Sequence, residues 1–346
     1  MVLPKIFLNS NTIDFDMTNT TLKKISEVLG LSISTVSRAL KNHPDISERT
    51  KKKVVELAQA LDYEPNASAI QLRTKHSKIF GLMVPTISNF FYDSFIASVE
   101  EESRKQGFSL MILQSGDNIE IEIENLKLCR QNRVTGLFAC LGSNTKDISS
   151  FLKMKELDIT TVYFDIVPEM EGLNKVCMAD ASVGEIAAIA ILEAKKKNVL
   201  SIFGNSNLSI TKKREKAFCN YFKIKAPKTS LLIEHASDAS HSKQIVLQYL
   251  QKQHQFDTIF CMSDEILIGV MKAIQELKLI IPKDISIIAI SNGFIPTLFY
   301  PQITYVETSG YSLGKLAFSQ MMTCLSDSNA ISEMTVTSKL VVGGSL

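Results

Sequence analysis

Hydroxyls and cations cluster at helical spacing near the start of this 346-residue chain, at Thr21, Ser32, Ser34, Thr35, Ser37 and Arg38, with one apolar side chain, Ile33, among them. Such a set can address a nucleic acid. Ser34 can serve a donor or an acceptor base edge, Ile33 can touch a thymine methyl, and Arg38 can pair with guanine or hold a phosphate. Thr35, Ser37 and the run Lys51, Lys52 and Lys53 suit phosphate oxygens, which position a protein on a duplex without reading sequence. For any single lysine a solvated helix face is the plainer reading.

The spacings that enzyme chemistry needs are missing. There is no G-x-x-x-x-G-K-[ST], G-x-G-x-x-G or H-E-x-x-H, and no G-x-S-x-G. His235, His241 and His254 fit no zinc spacing, and the six cysteines are scattered with no C-x-x-C pair. Buried thiols are expected there, with no metal and no cofactor.

Three short helices must position the polar cluster. Thr21 can cap one that carries Leu22, Ile25, Val28 and Leu29 on a single face. Gly30 suits the turn. Ser32 can cap a second helix, over about 32–41, with Val36 and Leu40 facing inward. After Pro44, Ser47 can cap a third, with Val54, Leu57, Ala58 and Leu61 in a stripe. Periodicity alone leaves two readings open, a helix-turn-helix whose second helix enters the major groove or a plain three-helix bundle with a wet polar face. Charge leans toward the first. Residues 17–78 carry +5 and residues 79–346 carry −2, within a net +2.

The length suits two or three domains. No apolar run spans a membrane, and the first sixteen residues do not resemble a signal peptide, so a cytoplasmic protein is expected. From residue 79, apolar runs alternate with helical patterns. Strands are expected at 79–84, 108–113, 136–140, 160–164, 199–203, 231–234, 258–261, 285–290 and 303–306. Helices are expected at 92–106, 148–156, 183–196, 211–222, 240–252, 264–277 and 311–325. The alternation predicts parallel sheets covered by helices, in two lobes. Ile119-Glu-Ile-Glu-Ile-Glu alternates like a strand but continues into Leu126 and Cys129 at helical spacing; a helix is expected.

The stretch Thr21-Leu-Lys-Lys-Ile-Ser-Glu-Val-Leu-Gly-Leu-Ser-Ile-Ser-Thr-Val-Ser-Arg-Ala-Leu closely resembles the start of LacI/GalR-type transcription regulators. The likeness continues through Asp45-Ile-Ser-Glu-Arg-Thr and Tyr63-Glu-Pro-Asn-Ala-Ser-Ala-Ile-Gln-Leu-Arg-Thr. It reaches the body at Gly81-Leu-Met-Val-Pro-Thr-Ile-Ser-Asn-Phe-Phe, Asn205 to Phe218, Met262-Ser-Asp-Glu-Ile-Leu-Ile-Gly-Val-Met-Lys-Ala-Ile and Leu279-Ile-Ile-Pro-Lys-Asp-Ile-Ser-Ile-Ile-Ala-Ile. It implies an α/β two-lobe periplasmic-binding-protein-like effector domain with an all-α N-terminal helix-turn-helix DNA-binding domain. The implied boundaries are 1–16 for a disordered extension, 17–65 for the head, 66–77 for a hinge helix and linker, and 78–346 for the effector-binding and dimerisation domain. Its first lobe takes about 78–177 plus 308–335 and its second about 178–307 plus the C-terminal segment. Met17 is an alternative start.

The resemblance also implies roles. Ile33, Ser34 and Arg38 would carry most of the base choice. Asn66, Ala69 and Leu72 would belong to a hinge helix that orders on DNA, with Leu72 wedging into a base step from the minor groove. Arg214 would grip the effector, and Phe91 and Phe260 would stack on it, although a buried aromatic is nearly as good a reading for each. Ser88, Ser143 and Asp165 complete the carried-over set with Asp264, which could equally cap a helix, and Ser291. The implied partners are a pseudo-palindromic double-stranded operator, a small-molecule effector and a second copy in a homodimer, with no membrane. A leucine-heptad tail, which tetramerises some members, is not expected. Effector binding would change how the first lobes sit across the dimer, and so whether the hinge helices form.

Four positions depart from the family pattern. Ser26 replaces an alanine, Ala217 a glycine and Gly343 an arginine. Ser291 stands where an aspartate usually meets the ligand, which puts a typical sugar site in doubt. A sugar or sugar derivative is the expected effector. A nucleobase or nucleoside, no ligand at all, or a cytoplasmic small-molecule binder without DNA function are the alternatives.

Overall fold

Thr21, Ser32 and Ser47 each open a helix in the computed structural model, which describes residues 21–63, 77–252, 254–327 and 330–346. The chain divides into two compact units, 1–75 and 76–346. Residues 1–20 and 64–76 lie outside the described residues. They hold the expected extension, most of the expected hinge, and Asn66, Ala69 and Leu72.

The first unit contains α1 (Leu22–Leu29), α2 (Ile33–Leu40) and α3 (Glu48–Ala60). The cap hydroxyls accept backbone N–H groups of Lys24, Thr35 and Thr50 at 3.3, 3.0 and 3.2 Å, which satisfies donors that a helix start otherwise leaves unpaired. Gly30 closes α1 at φ 64, and its N–H points back to Glu27 and Ser26. Glycine adopts that left-handed turn at no steric cost. Ile25, Val36, Ala39, Val54 and Ala58 form one small core. Ser26 is buried, and its hydroxyl donates to the Lys23 carbonyl at 2.7 Å. The serine in place of alanine is thus satisfied locally.

The second unit begins with β1 (Ile79–Val84), α4 (Phe90–Lys105), β2 (Ser109–Gln114), α5 (Ile119–Gln131), β3 (Gly136–Ala139), α6 (Ser149–Leu152), β4 (Thr160–Phe164) and β5 (Lys175–Met178). A second lobe follows with α7 (Asp180–Glu193), β6 (Asn198–Phe203), α8 (Ser209–Lys225), β7 (Ser230–His235), α9 (Ala239–Gln251), β8 (Thr258–Cys261), α10 (Asp264–Glu276), β9 (Ser286–Ser291) and β10 (Thr304–Glu307). The chain then returns to the first lobe with α11 (Gly310–Ser326) and β11 (Glu333–Val336), and to the second with β12 (Lys339–Val341).

The first sheet runs β11-β5-β4-β3-β1-β2, all parallel. The second runs β12-β10-β9-β8-β6-β7, parallel except for β12 against β10. Strand order reverses at β1 in one sheet and at β6 in the other. In open α/β sheets a crevice opens beside such reversals, outside the carboxyl ends of the strands. The central strands are apolar on both faces because helices cover both. Phe80, Phe95, Phe138 and Phe164 fill one lobe; Phe203, Phe218, Phe222 and Phe260 fill the other.

Two expectations change. Strands β5, β11 and β12 form where none was expected. The helix expected at 148–156 is one turn, α6, followed by a tighter turn at Lys155–Leu157. Gly343 has a packing reason, since a Cβ there would lie 2.2 Å from the Gln302 carbonyl oxygen. Among the described residues no helix is long and apolar enough to cross a membrane, and the six cysteines are unpaired thiols.

Candidate DNA-reading head and effector cleft

In the head, the structure separates capping from display. Thr21 and Ser32 spend their hydroxyls on α1 and α2, and Ser32 Oγ also lies 2.8 Å from both Ser34 Oγ and Thr35 Oγ1. Ile33 is 48% exposed, unusual for so large an apolar side chain, and Ser34 and Arg38 are also exposed. Thr35 and Ser37 are half-buried. Val36 and Ala39 anchor the opposite side of α2 in the core. Arg38 meets Asp45 only at 3.9 Å, both well exposed, so its guanidinium is loosely held. Lys51 is folded onto Glu48 at 2.7 Å with little exposure, whereas Lys52 and Lys53 face solvent.

Within the second unit, a cavity of about 450 Å³ lies between the lobes, a size typical of small-molecule sites. Loops at the strand ends line it: Pro85 and Thr86 after β1, Ser143 after β3, Asp165 after β4, Asn205 after β6, and Ser263 after β8. Of the eight expected effector contacts, seven line it: Ser88, Phe91, Ser143, Asp165, Arg214, Asp264 and Ser291.

Phe260 is the exception and a correction. Its side chain is fully buried, stacked on Phe218 with centroids 4.6 Å apart, and close to Phe203 at 5.2 Å. It fills the core of the second lobe. A strand buried on both faces gives no sequence sign of which face meets a ligand.

Arg214 is no surface residue. It is buried while its neighbours Lys212 and Lys213 are exposed. Its Nε donates to Asp180 Oδ1 at 2.8 Å. Gly184 permits the approach of α7 to α8, since a Cβ there would sit 2.2 Å from the Arg214 carbonyl oxygen.

Asp165 has a left-handed backbone, φ 56, a conformation that Asp tolerates better than most residues and that concentrates at functional sites. Its Oδ2 accepts from the Tyr92 hydroxyl at 2.9 Å. Burial pushes its carboxyl up to about 6; the Arg214 charge opposes the rise, Asp180 adds to it, and the Tyr92 hydrogen bond lowers it.

Asp264 does not cap α10; Ser263 does, accepting from Ile266 N at 3.3 Å. The Asp264 carboxylate instead accepts from the Ser291 hydroxyl at 2.5 Å and from Asn292 N at 3.1 Å. Burial raises it to about 6, the two hydrogen bonds act against the rise, and Glu265 adds to it. Ser291 therefore removes one carboxylate from the cleft and steadies another.

Several lining residues had escaped the sequence reading. Asn89 caps α4, accepting from Phe91 N at 2.9 Å, and donates across the cleft to Glu265 Oε1 at 2.8 Å. Asn292 also bridges the lobes, donating to the Phe90 carbonyl at 3.1 Å and accepting from Gly310 N at 3.2 Å. Thr211 is fully buried, and its Oγ1 has no hydrogen-bond partner among the described residues. It lies three residues before Arg214, so the 3.6-residue period places both on one helix face; that signal was available. Asp180, far away in sequence, left none.

Comparisons with known proteins agree with this architecture. Residues 21–66 match "Bacterial regulatory proteins, lacI family", and residues 77–341 match "Periplasmic binding proteins and sugar binding domain of LacI family". The chain is 28% identical over 317 residues to the HTH-type transcriptional regulator RegA of Clostridium saccharobutylicum, covering 88% of this chain and 92% of that one. It is 28% identical to the ribose operon repressor of Lactococcus lactis, covering 85% and 88%. Its fold is similar to the lac repressor dimer crystallised with operator and the anti-inducer ONPF, at TM-score 0.83 and 19% identity, covering 94% of this chain and 98% of that one. With both parts of the molecule matched, the chain belongs to the LacI family and is a DNA-binding transcriptional regulator.

Proposed function

We propose that the protein is a repressor that binds a pseudo-palindromic operator as a homodimer and responds to a small polyhydroxylated effector, a sugar or sugar derivative, in the cleft of the second unit. The observation that carries the effector reading is the cleft's lining. It brings together a buried guanidinium, two buried carboxyls, three amides and an unpartnered buried hydroxyl around about 450 Å³. Short-range donors and acceptors at that density match a ligand dense in hydroxyls. Aromatic rings line it from the first lobe alone, at Phe91 and Tyr92, among the described residues. Among the described residues a flat base would meet no ring from the second lobe to be sandwiched against, so the sugar reading is preferred to a nucleobase.

For the head, the exposed side chains of Ile33, Ser34 and Arg38 on a doubly capped helix favour direct reading of base edges. Repression and operator binding as a dimer are supported by the similarity to a ribose operon repressor and to the operator-bound lac repressor dimer, and a two-fold dimer calls for a symmetric operator. Two measurements test the reading. Selection of bound sequences from random duplex should return an inverted repeat, with affinity that falls steeply as salt rises. Thermal stability against a sugar panel should reveal a ligand, since one present at about 100 times its Kd adds about 2.7 kcal/mol. That ligand should also shift operator affinity. An unstructured selection result, or a ligand that leaves operator affinity unchanged, overturns the corresponding half.

A further inference from the structure

Charge in the cleft does not balance. Among the described lining residues Arg214 is the one cation, and Asp117, Asp165, Asp264 and Glu265 are all acids. Arg214 is already engaged, since its Nε is bonded to Asp180, both side chains hidden. The four lining acids take hydrogen bonds from uncharged donors: Asp117 from Ser143 N at 2.8 Å, Asp165 from Tyr92 OH at 2.9 Å, Asp264 from Ser291 OH and Asn292 N, and Glu265 from Asn89 Nδ2 at 2.8 Å. Such bonds steady a carboxylate without cancelling its charge. Asp165 Oδ1 and Glu265 Oε2 have no partner among the described residues. Thr211 Oγ1, fully buried in the same wall, is likewise unpartnered. Burial drives Asp165 and Asp264 up to about 6; Asp180 and Glu265 respectively add to the rise, and at Asp165 the Arg214 charge opposes it without cancelling it.

Resting on the effector reading above, we infer that the cleft's ligand is a polyhydroxylated cation, of the amino-sugar class, whose ammonium group sits against Asp165 and Glu265, and that acidic analogues are rejected. A protonated amine supplies the missing positive charge and donates to the free oxygens and the Thr211 hydroxyl. A phosphate or carboxylate would enter a cavity in which the one lining guanidinium among the described residues already shares its charge with Asp180 and Asp165, and would face four acids.

The test is calorimetric titration of the full-length protein at about neutral pH with matched sets in the gluco, galacto and ribo configurations: the parent sugar, its amino sugar, its phosphate and its uronic or aldonic acid. In the configuration that binds, the amino sugar should bind about tenfold or more tighter than the parent, and the phosphate and the acid about tenfold or more weaker. Asp165→Asn should fold, because Asn also tolerates the left-handed backbone and can accept from Tyr92. Its readout is the ratio of amine to parent-sugar affinity, which should fall to about one. Glu265→Gln, at the partly exposed rim, should reduce the same preference. Equal binding of amine and parent, or tighter binding of phosphate or acid, overturns the inference and leaves the effector reading intact. Silence across every set counts against the effector reading itself and removes the inference with it.

Discussion

Arg214 Nε and Asp180 Oδ1 lie 2.8 Å apart, both side chains more than nine-tenths hidden, and they tie α8 to α7 in the wall of the effector cleft. The pair is useful only while both members are present. A buried ion pair adds little over a well-packed apolar pair, but a buried charge that loses its partner is costly.

Asp180→Ala should therefore destabilise the second unit by about 3–5 kcal/mol. Combining it with Arg214→Met should cost less than Asp180→Ala alone, because the orphaned charge goes too. Denaturant midpoints of the three variants decide the matter. If the double variant is weaker than either single one, the pair contributes net attraction and the argument from desolvation fails.

In the head, Ile33 and Lys52 should behave differently. Ile33→Ala should redistribute base preference at one operator position, at a cost of about 1–3 kcal/mol on the preferred sequence, and leave the salt slope alone. Lys52→Ala should weaken binding to all sequences alike and reduce the slope of log affinity against log salt by about 1. Titrations against a set of operator variants at several salt concentrations separate the two. Equal losses on all sequences for Ile33→Ala would remove it from base reading.

Why the head was so legible is a matter of range. Caps at Thr21, Ser32 and Ser47 and the left-handed Gly30 act within four residues, so sequence displays them directly. In α5 the local signals conflict. Its isoleucines alternate like a strand, yet Asn118 caps a helix by accepting from Ile121 N. There Glu122 is buried while Ile121 and Ile123 are exposed. The inversion has a distant cause, because Glu122 accepts from Gly142 N at 2.7 Å and Thr145 Oγ1 at 2.6 Å. Asp180, Asn292 and the misplaced Phe260 belong to the same class, decided by partners far away in the chain. Strands β5, β11 and β12 were missed because three or four mixed residues carry too little periodicity to register.

Gly343 illustrates how a departure from the family pattern can be read from packing. Gly343→Arg, which restores the usual residue, should destabilise the protein, by about 1–3 kcal/mol or more, because the new Cβ meets the Gln302 carbonyl. Thermal melts of the purified variant check this. An unchanged melting temperature would mean that the C-terminal segment yields easily.

The carboxyl of Asp264 gives a pH prediction with a definite sign. Its ordinary value is 3.8 and burial lifts it to about 6. An acid so raised holds its proton more tightly in the folded state. Its contribution to stability is full below 3.8 and is lost as pH rises through about 6. Asp264→Asn cannot ionise. It should gain stability relative to the parent between about pH 4 and pH 7.5, by an amount on the order of 1–3 kcal/mol. A difference that stays flat across that range would show that Asp264 titrates normally.

Ser291 and Asp264 provide the last prediction. The Ser291 hydroxyl donates to Asp264 Oδ1 at 2.5 Å and accepts from Gly293 N at 2.9 Å, so one small side chain links two strand-end loops. Ser291→Asp, which installs the family's usual carboxylate, would put two acids in contact in a buried wall. It should cost on the order of 3 kcal/mol at neutral pH, with much of the loss recovered on acidification as one acid takes up a proton. Adding Asp264→Asn to Ser291→Asp exchanges donor and acceptor between the two positions, since an amide can donate to a carboxylate. That double variant should regain most of the stability at neutral pH. Melting temperatures of the single and double variants at two pH values decide it. If Ser291→Asp melts with the parent at neutral pH, the two side chains are not in the contact described, and the account of why this chain carries serine at 291 falls with it.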